Sequence, residues 1–98
     1  MDFNPIFETH VIMKRTDTNE YLSAFLVWDH DSVRWSADIH DAFLFKTRCD
    51  AEINGRTVAE WLGDPLNRTV KLMIGSASMQ DGSMTINKCS PLNVTRVA

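Results

Sequence analysis

Ninety-eight residues, 44% of them apolar, are enough for one hydrophobic core and too ordinary in composition for a disordered chain. The formal net charge of −3 argues against a nucleic-acid-binding chain of the usual basic kind. No apolar run approaches the roughly eighteen residues of a membrane span, and the opening MDFNPIFETH lacks the basic and long apolar regions of a signal peptide. A cytoplasmic single domain over residues 1–98, with no membrane contact, is the expectation.

Ile6 to Lys14 alternates at period two behind Pro5, as a first strand would. Thr16 to Glu20 is rich in turn formers and closes a hairpin. Tyr21 to Trp28 is apolar and aromatic and reads as a second, central strand. Asp29-His30-Asp31-Ser32 then turns the chain, and Val33 to Ala37 returns it.

Asp38 to Phe45 reads either as a short helical turn or as a loop that drops Ala42, Phe43 and Phe45 into the core. Thr47-Arg48-Cys49-Asp50 matches a capping box, so a helix starts at Thr47 and runs towards Leu62. Asn54-Gly55 interrupts it, and Thr57 to Glu60 is a second capping match, so two short helices are the alternative. Gly63-Asp64-Pro65 stops either version.

Thr69 to Ile74 is the next strand, Gly75 to Ser83 a loop around Asp81-Gly82, and Met84 to Cys89 its partner. Leu92 to Val97 would add a last edge strand that could also serve as a homodimer seam. The order β-β-β-α-β-β predicts an α+β fold, an antiparallel sheet of about five strands with one helix on one face. Phe7, Val11, Phe25, Val27, Trp35, Phe43, Phe45, Trp61, Leu62, Leu72 and Ile86 supply the expected core.

Charge is uneven along the chain. Residues 16–45 hold Asp17, Glu20, Asp29, Asp31, Asp38 and Asp41 against Arg34 alone, a balance of −5, whereas residues 46–98 sum to +2. Asp29, His30, Asp31, Asp38, His40 and Asp41 are the one set rich enough to bind a metal, but no zinc or EF-hand spacing accompanies them, so no metal and no cofactor is expected. Cys49 and Cys89, paired with His10, His30 or His40, are the only candidate nucleophiles. Cys49 has no glycine-rich oxyanion turn nearby and is followed directly by Asp50, and both cysteines read as reduced, buried or half-buried thiols. Phosphate-binding glycine loops are absent.

Tyr21-Leu22-Ser23, Trp35-Ser36, Ala42, Phe45, Thr47-Arg48 and Ala51-Glu52 resemble a pattern in small tailed-bacteriophage accessory proteins, over about a third of the chain. The resemblance implies a short protein made inside a bacterial cell that binds and blocks a host factor, such as RNA polymerase, a nuclease, a replication protein or a CRISPR effector. It implies no catalytic residue.

The expected function is therefore non-enzymatic protein binding. An acidic face formed by Asp29, Asp31, Asp38 and Asp41, with Trp28 as apolar anchor, would dock on the basic surface of a host protein. The alternative from the basic second half is a nucleic-acid-binding or transcription-modulating module using Lys46, Arg48, Arg56 and Arg68.

Overall fold

A computed structural model describes residues 7–94, with side chains from His10 onward. It has the expected α+β architecture: a five-stranded antiparallel sheet in the order β3-β2-β1-β4-β5 and one α-helix. The strands are β1 (Phe7–Arg15), β2 (Glu20–Leu26), β3 (Asp29–Ser36), β4 (Leu72–Gln80) and β5 (Ser83–Pro91). A single 3₁₀ turn, Ile39–Asp41, precedes the helix α1, Arg48–Trp61.

The helix starts where its cap predicts. Thr47 is extended, and its hydroxyl accepts the Asp50 amide at 3.0 Å. The helix is continuous through Asn54-Gly55, because Gly55 belongs to the buried stripe Ala51, Gly55, Val58, Ala59. A Cβ on Gly55 would come within 2.8 Å of Leu92 Cδ1 and 3.0 Å of Met13 Cε, so the glycine marks close helix-to-sheet approach rather than a break. Gly63, at φ 72°, ends the helix in a Schellman pair: its N–H donates to Glu60 O, and the Asp64 N–H to Ala59 O.

Two clusters fill the two faces of the sheet. On the helix side lie Val11, Met13, Leu22, Phe45, Val58, Leu72, Ile74 and Leu92, with Phe25, Val33, Trp35, Phe43 and Leu62 packed on them. On the other side Ile12, Ala42 and Ala77 form a smaller cluster with Tyr21, Ile39, Met84 and Ile86. Each fully buried Leu or Ile contributes about 2 kcal/mol of transfer free energy. Within the first cluster Phe25, Phe43 and Phe45 meet ring to ring, with Phe43–Phe45 centroids 4.8 Å apart, and the Trp61 ring lies 6.4 Å from Phe25.

The chain passes from one face to the other through the sheet. β1 pairs with β4 over almost its whole length but with β2 only at Lys14↔Tyr21 and Arg15↔Glu20. Residues 42–45 fill the resulting gap: the Phe43 N–H donates to Leu22 O at 2.7 Å, and Val11 and Phe45 exchange backbone bonds of 2.8 Å in both directions. The segment left undecided between turn and loop is thus a 3₁₀ turn followed by an inserted bridge.

Several expected boundaries shift. The β2–β3 turn falls at Val27-Trp28, and Asp29 to Ser32 belong to β3, because Leu26 pairs with Asp29. β2 lies one strand in from the edge rather than at the centre of the sheet, and it fully buries only Leu22. Gly75 to Gln80 is strand rather than loop, and the reversal is the tight pair Asp81-Gly82, both at positive φ. Val27, expected in the core, is 52% exposed, while Ile12, Met13 and Leu22 are fully buried. The side chain of Phe7 and residues 95–97 of the expected last strand lie outside the described residues, and residues 92–94 are not strand.

Candidate functional site

The β2–β3 hairpin ends in a two-residue turn made without glycine. Neither Val27 nor Trp28 has a positive φ, so the turn lacks the twist that suits a two-residue hairpin, and the register slips between Ala24 and Leu26 to absorb the mismatch. Side chains repair the ladder there. The Ser32 hydroxyl accepts the Leu26 N–H at 2.6 Å and donates to Asp29 O at 2.6 Å. Asp29 Oδ1 accepts the Asp31 N–H at 3.0 Å, and Arg34 Nη1 donates to the carbonyls of Asp31 and Val33.

This bracing presents an apolar run to solvent. Leu26 is 46% exposed and Trp28 78%, and Val27 lies between them. Trp35 and Trp61 pack partly against the interior instead, so Trp28 is the exposed tryptophan of the three. The His30 ring meets Trp61 edge-on at 6.3 Å, and its Nε2 lies 3.2 Å from Asp31 Oδ1. Trp28, Asp29 and Asp31 therefore share one braced tip.

Asp38 and Asp41 do not join them. Asp38 caps the 3₁₀ turn, and Oδ1 accepts from the His40 backbone N–H and faces His40 Nδ1, each at 2.9 Å. The backbone bond first, and the ring second, hold the Asp38 carboxyl below its ordinary range. Asp41 Oδ2 accepts the Ser36 hydroxyl at 2.8 Å, and His40 Nε2 accepts the Met84 N–H at 3.3 Å. The turn thereby ties the end of β3 to the start of β5, the two outermost strands. Asp31 and Ser36 are five strand residues apart, about 16 Å. The four aspartates form two pairs at opposite ends of β3, and the single acidic face expected from the sequence is divided.

The other candidate groups are placed just as definitely. Asp29, His30 and Asp31 each offer one donor within 4.8 Å of the others, three ligands on an open tip with none of the remaining acids or histidines added. Cys49 and Cys89 are free and exposed, where buried or half-buried thiols were expected. Desolvation raises the Cys89 thiol above its ordinary range, with Lys14 and Arg48 pulling the other way, and neither cysteine hydrogen-bonds to a histidine among the described residues. Arg48 donates to Ser90 Oγ, Lys88 O and Ile74 O, and Arg56 to Asn93 O. These two guanidiniums are fastened to the protein's own β5 side, while Lys46 and Arg68 are exposed.

The sequence could have revealed the tip through one signal, an apolar Leu-Val-Trp run ending directly in acids. The bracing by Ser32 was not visible, because it depends on a register slip. No helix among the described residues is long and apolar enough to cross a membrane. No family model, curated protein or solved structure matches the chain.

Proposed function

We propose that the protein is a non-enzymatic binding module whose contact element is the β2–β3 hairpin tip, and that it acts by occupying the surface of a larger protein. The observation that carries this reading is Trp28, 78% exposed at the end of a hairpin braced by the local side-chain hydrogen bonds of Asp29, Ser32 and Arg34. A large exposed ring on a fixed support loses little conformational entropy on docking and supplies much of the affinity where it enters a pocket. Asp29 and Asp31 beside it favour a basic surrounding surface and would speed encounter with it. The likeness to small phage accessory proteins supports a host protein as that partner, with blockade as the mechanism.

Affinity capture from a bacterial lysate with the tagged wild type and Trp28→Ala, read by mass spectrometry, tests this. A protein retained by the wild type and lost by a folded Trp28→Ala supports the tip. Equal capture by both contradicts it. The nucleic-acid reading has less to stand on, since Arg48 and Arg56 already bond to backbone carbonyls and a serine of the chain itself.

A further inference from the structure

An open groove of about 610 Å³ at the β2–β3 hairpin is lined by the apolar Phe25, Leu26 and Phe43 together with Asp29, Asp31 and Arg34. Carboxylate oxygens of these two aspartates and a ring nitrogen of His30 fall within 4.8 Å of one another. Two like charges so close repel unless a cation sits by them. Arg34 keeps its charge, but its Nη1 bonds to the carbonyls of Asp31 and Val33 rather than to a carboxylate, so the two aspartates leave the groove a formal balance of −1. Among the described residues no lysine or arginine pairs with either carboxylate; Asp31 has only His30 Nε2 at 3.2 Å.

We propose that this groove receives an arginine side chain of the partner, with its methylenes on the Phe25 and Phe43 rings and its guanidinium between the Asp29 and Asp31 carboxylates. The proposal rests on the reading of the tip as the contact surface and names what that surface selects. Charge complementarity decides the occupant: an apolar lining with two carboxylates matches a long aliphatic stem ending in a cation. Guanidinium suits it better than ammonium. It is planar, weakly hydrated, able to lie on an aromatic face and to meet two carboxylates with separate N–H groups.

The test is an NMR titration of ¹⁵N-labelled protein with acetyl-Gly-Leu-Arg-Ser-Arg-Leu-Gly-amide, at low salt, against the same peptide with norleucine for both arginines. The expected result is shifts confined to residues 24–34 and 43, absent with norleucine. Binding should weaken about tenfold in the double variant Asp29→Asn/Asp31→Asn. Asparagine keeps the Oδ1 acceptor that Asp31 N–H needs, so the loop holds while its charge is removed. No shifts, shifts elsewhere, equal binding of the norleucine peptide, or indifference to the double variant would each overturn the proposal. So would tight calcium binding at the same amides, which would make the cluster an ion site. Should the peptide fail while partner capture still depends on Trp28, the groove assignment alone falls. Capture indifferent to Trp28 removes the contact surface itself.

Discussion

Phe45 and Val11 exchange backbone hydrogen bonds in both directions, each 2.8 Å long, although thirty-three residues separate them and Phe45 belongs to no strand. The pair closes the gap left where β1 and β2 diverge, and it hands the chain from the 3₁₀ turn on one face to the helix on the other.

Phe45→Ala should therefore be among the most damaging substitutions. Its ring is 4% exposed and touches both Phe25 and Phe43, so truncation leaves a cavity and loosens the bridge. A loss of about 3–5 kcal/mol is expected in urea unfolding. A loss below about 1 kcal/mol would mean that the backbone pair alone holds the crossing.

Gly75→Ala and Gly55→Ala should separate cleanly. A Cβ at Gly75 would lie 2.5 Å from Ile86 Cγ1 and 2.9 Å from the Asn87 carbonyl oxygen, and the backbone oxygen cannot step aside. At Gly55 the nearest atoms are the flexible ends of Leu92 and Met13, and alanine gains about 1 kcal/mol of helix propensity. Thermal melts should show Gly75→Ala destabilised by about 1–3 kcal/mol and Gly55→Ala by clearly less.

Thr47→Ala removes the acceptor for the Asp50 amide and should cost about 1 kcal/mol, measured by chemical unfolding. Thr47→Ser should recover most of it, since the hydroxyl remains.

Acid should weaken the loop between α1 and β4. Asp64 accepts from the backbone N–H groups of Val70, Arg68 and Thr69, and these bonds, Val70 first, hold its carboxyl below the ordinary range. Asp17, bonded to Arg15, and Asp38 are shifted the same way. A carboxyl lowered in the folded state stabilises fully above its unfolded value, about pH 4, and that contribution fades as pH falls through the folded one. Melting temperature should fall below about pH 4, and the gap between wild type and Asp64→Asn should narrow there. A gap independent of pH would show that the charge on Asp64 is irrelevant.

Much of the fold was legible because its signals are local. Thr47 and Gly63 mark the helix ends by chemistry that needs no tertiary context, and Asp81-Gly82 marks a tight hairpin turn. The errors lie where long-range packing chose. Asn54-Gly55 reads as a break until Met13 and Leu92 are seen to lie against the glycine. Asp29 to Ser32 read as a turn because aspartate suits turns, yet the register places the reversal at Val27-Trp28. The aspartates cluster in the sequence, but Asp29 and Asp31 stand at the start of β3 and Asp38 and Asp41 beyond its end, so the length of the strand keeps the pairs apart. Trp28, Asp29 and Asp31 stay together because a tight turn keeps neighbours in sequence close in space.

The most direct measurement is site-specific photo-crosslinking in bacterial cells, with benzoylphenylalanine placed either at Val27 on the tip or at Ile53 on the helix. The two positions are comparably open, at 52% and 53%. A discrete adduct with one larger protein from position 27, and none from position 53, is the expected result. Adducts from position 53 alone, or the same adduct from both, would contradict the hairpin tip as the contact element.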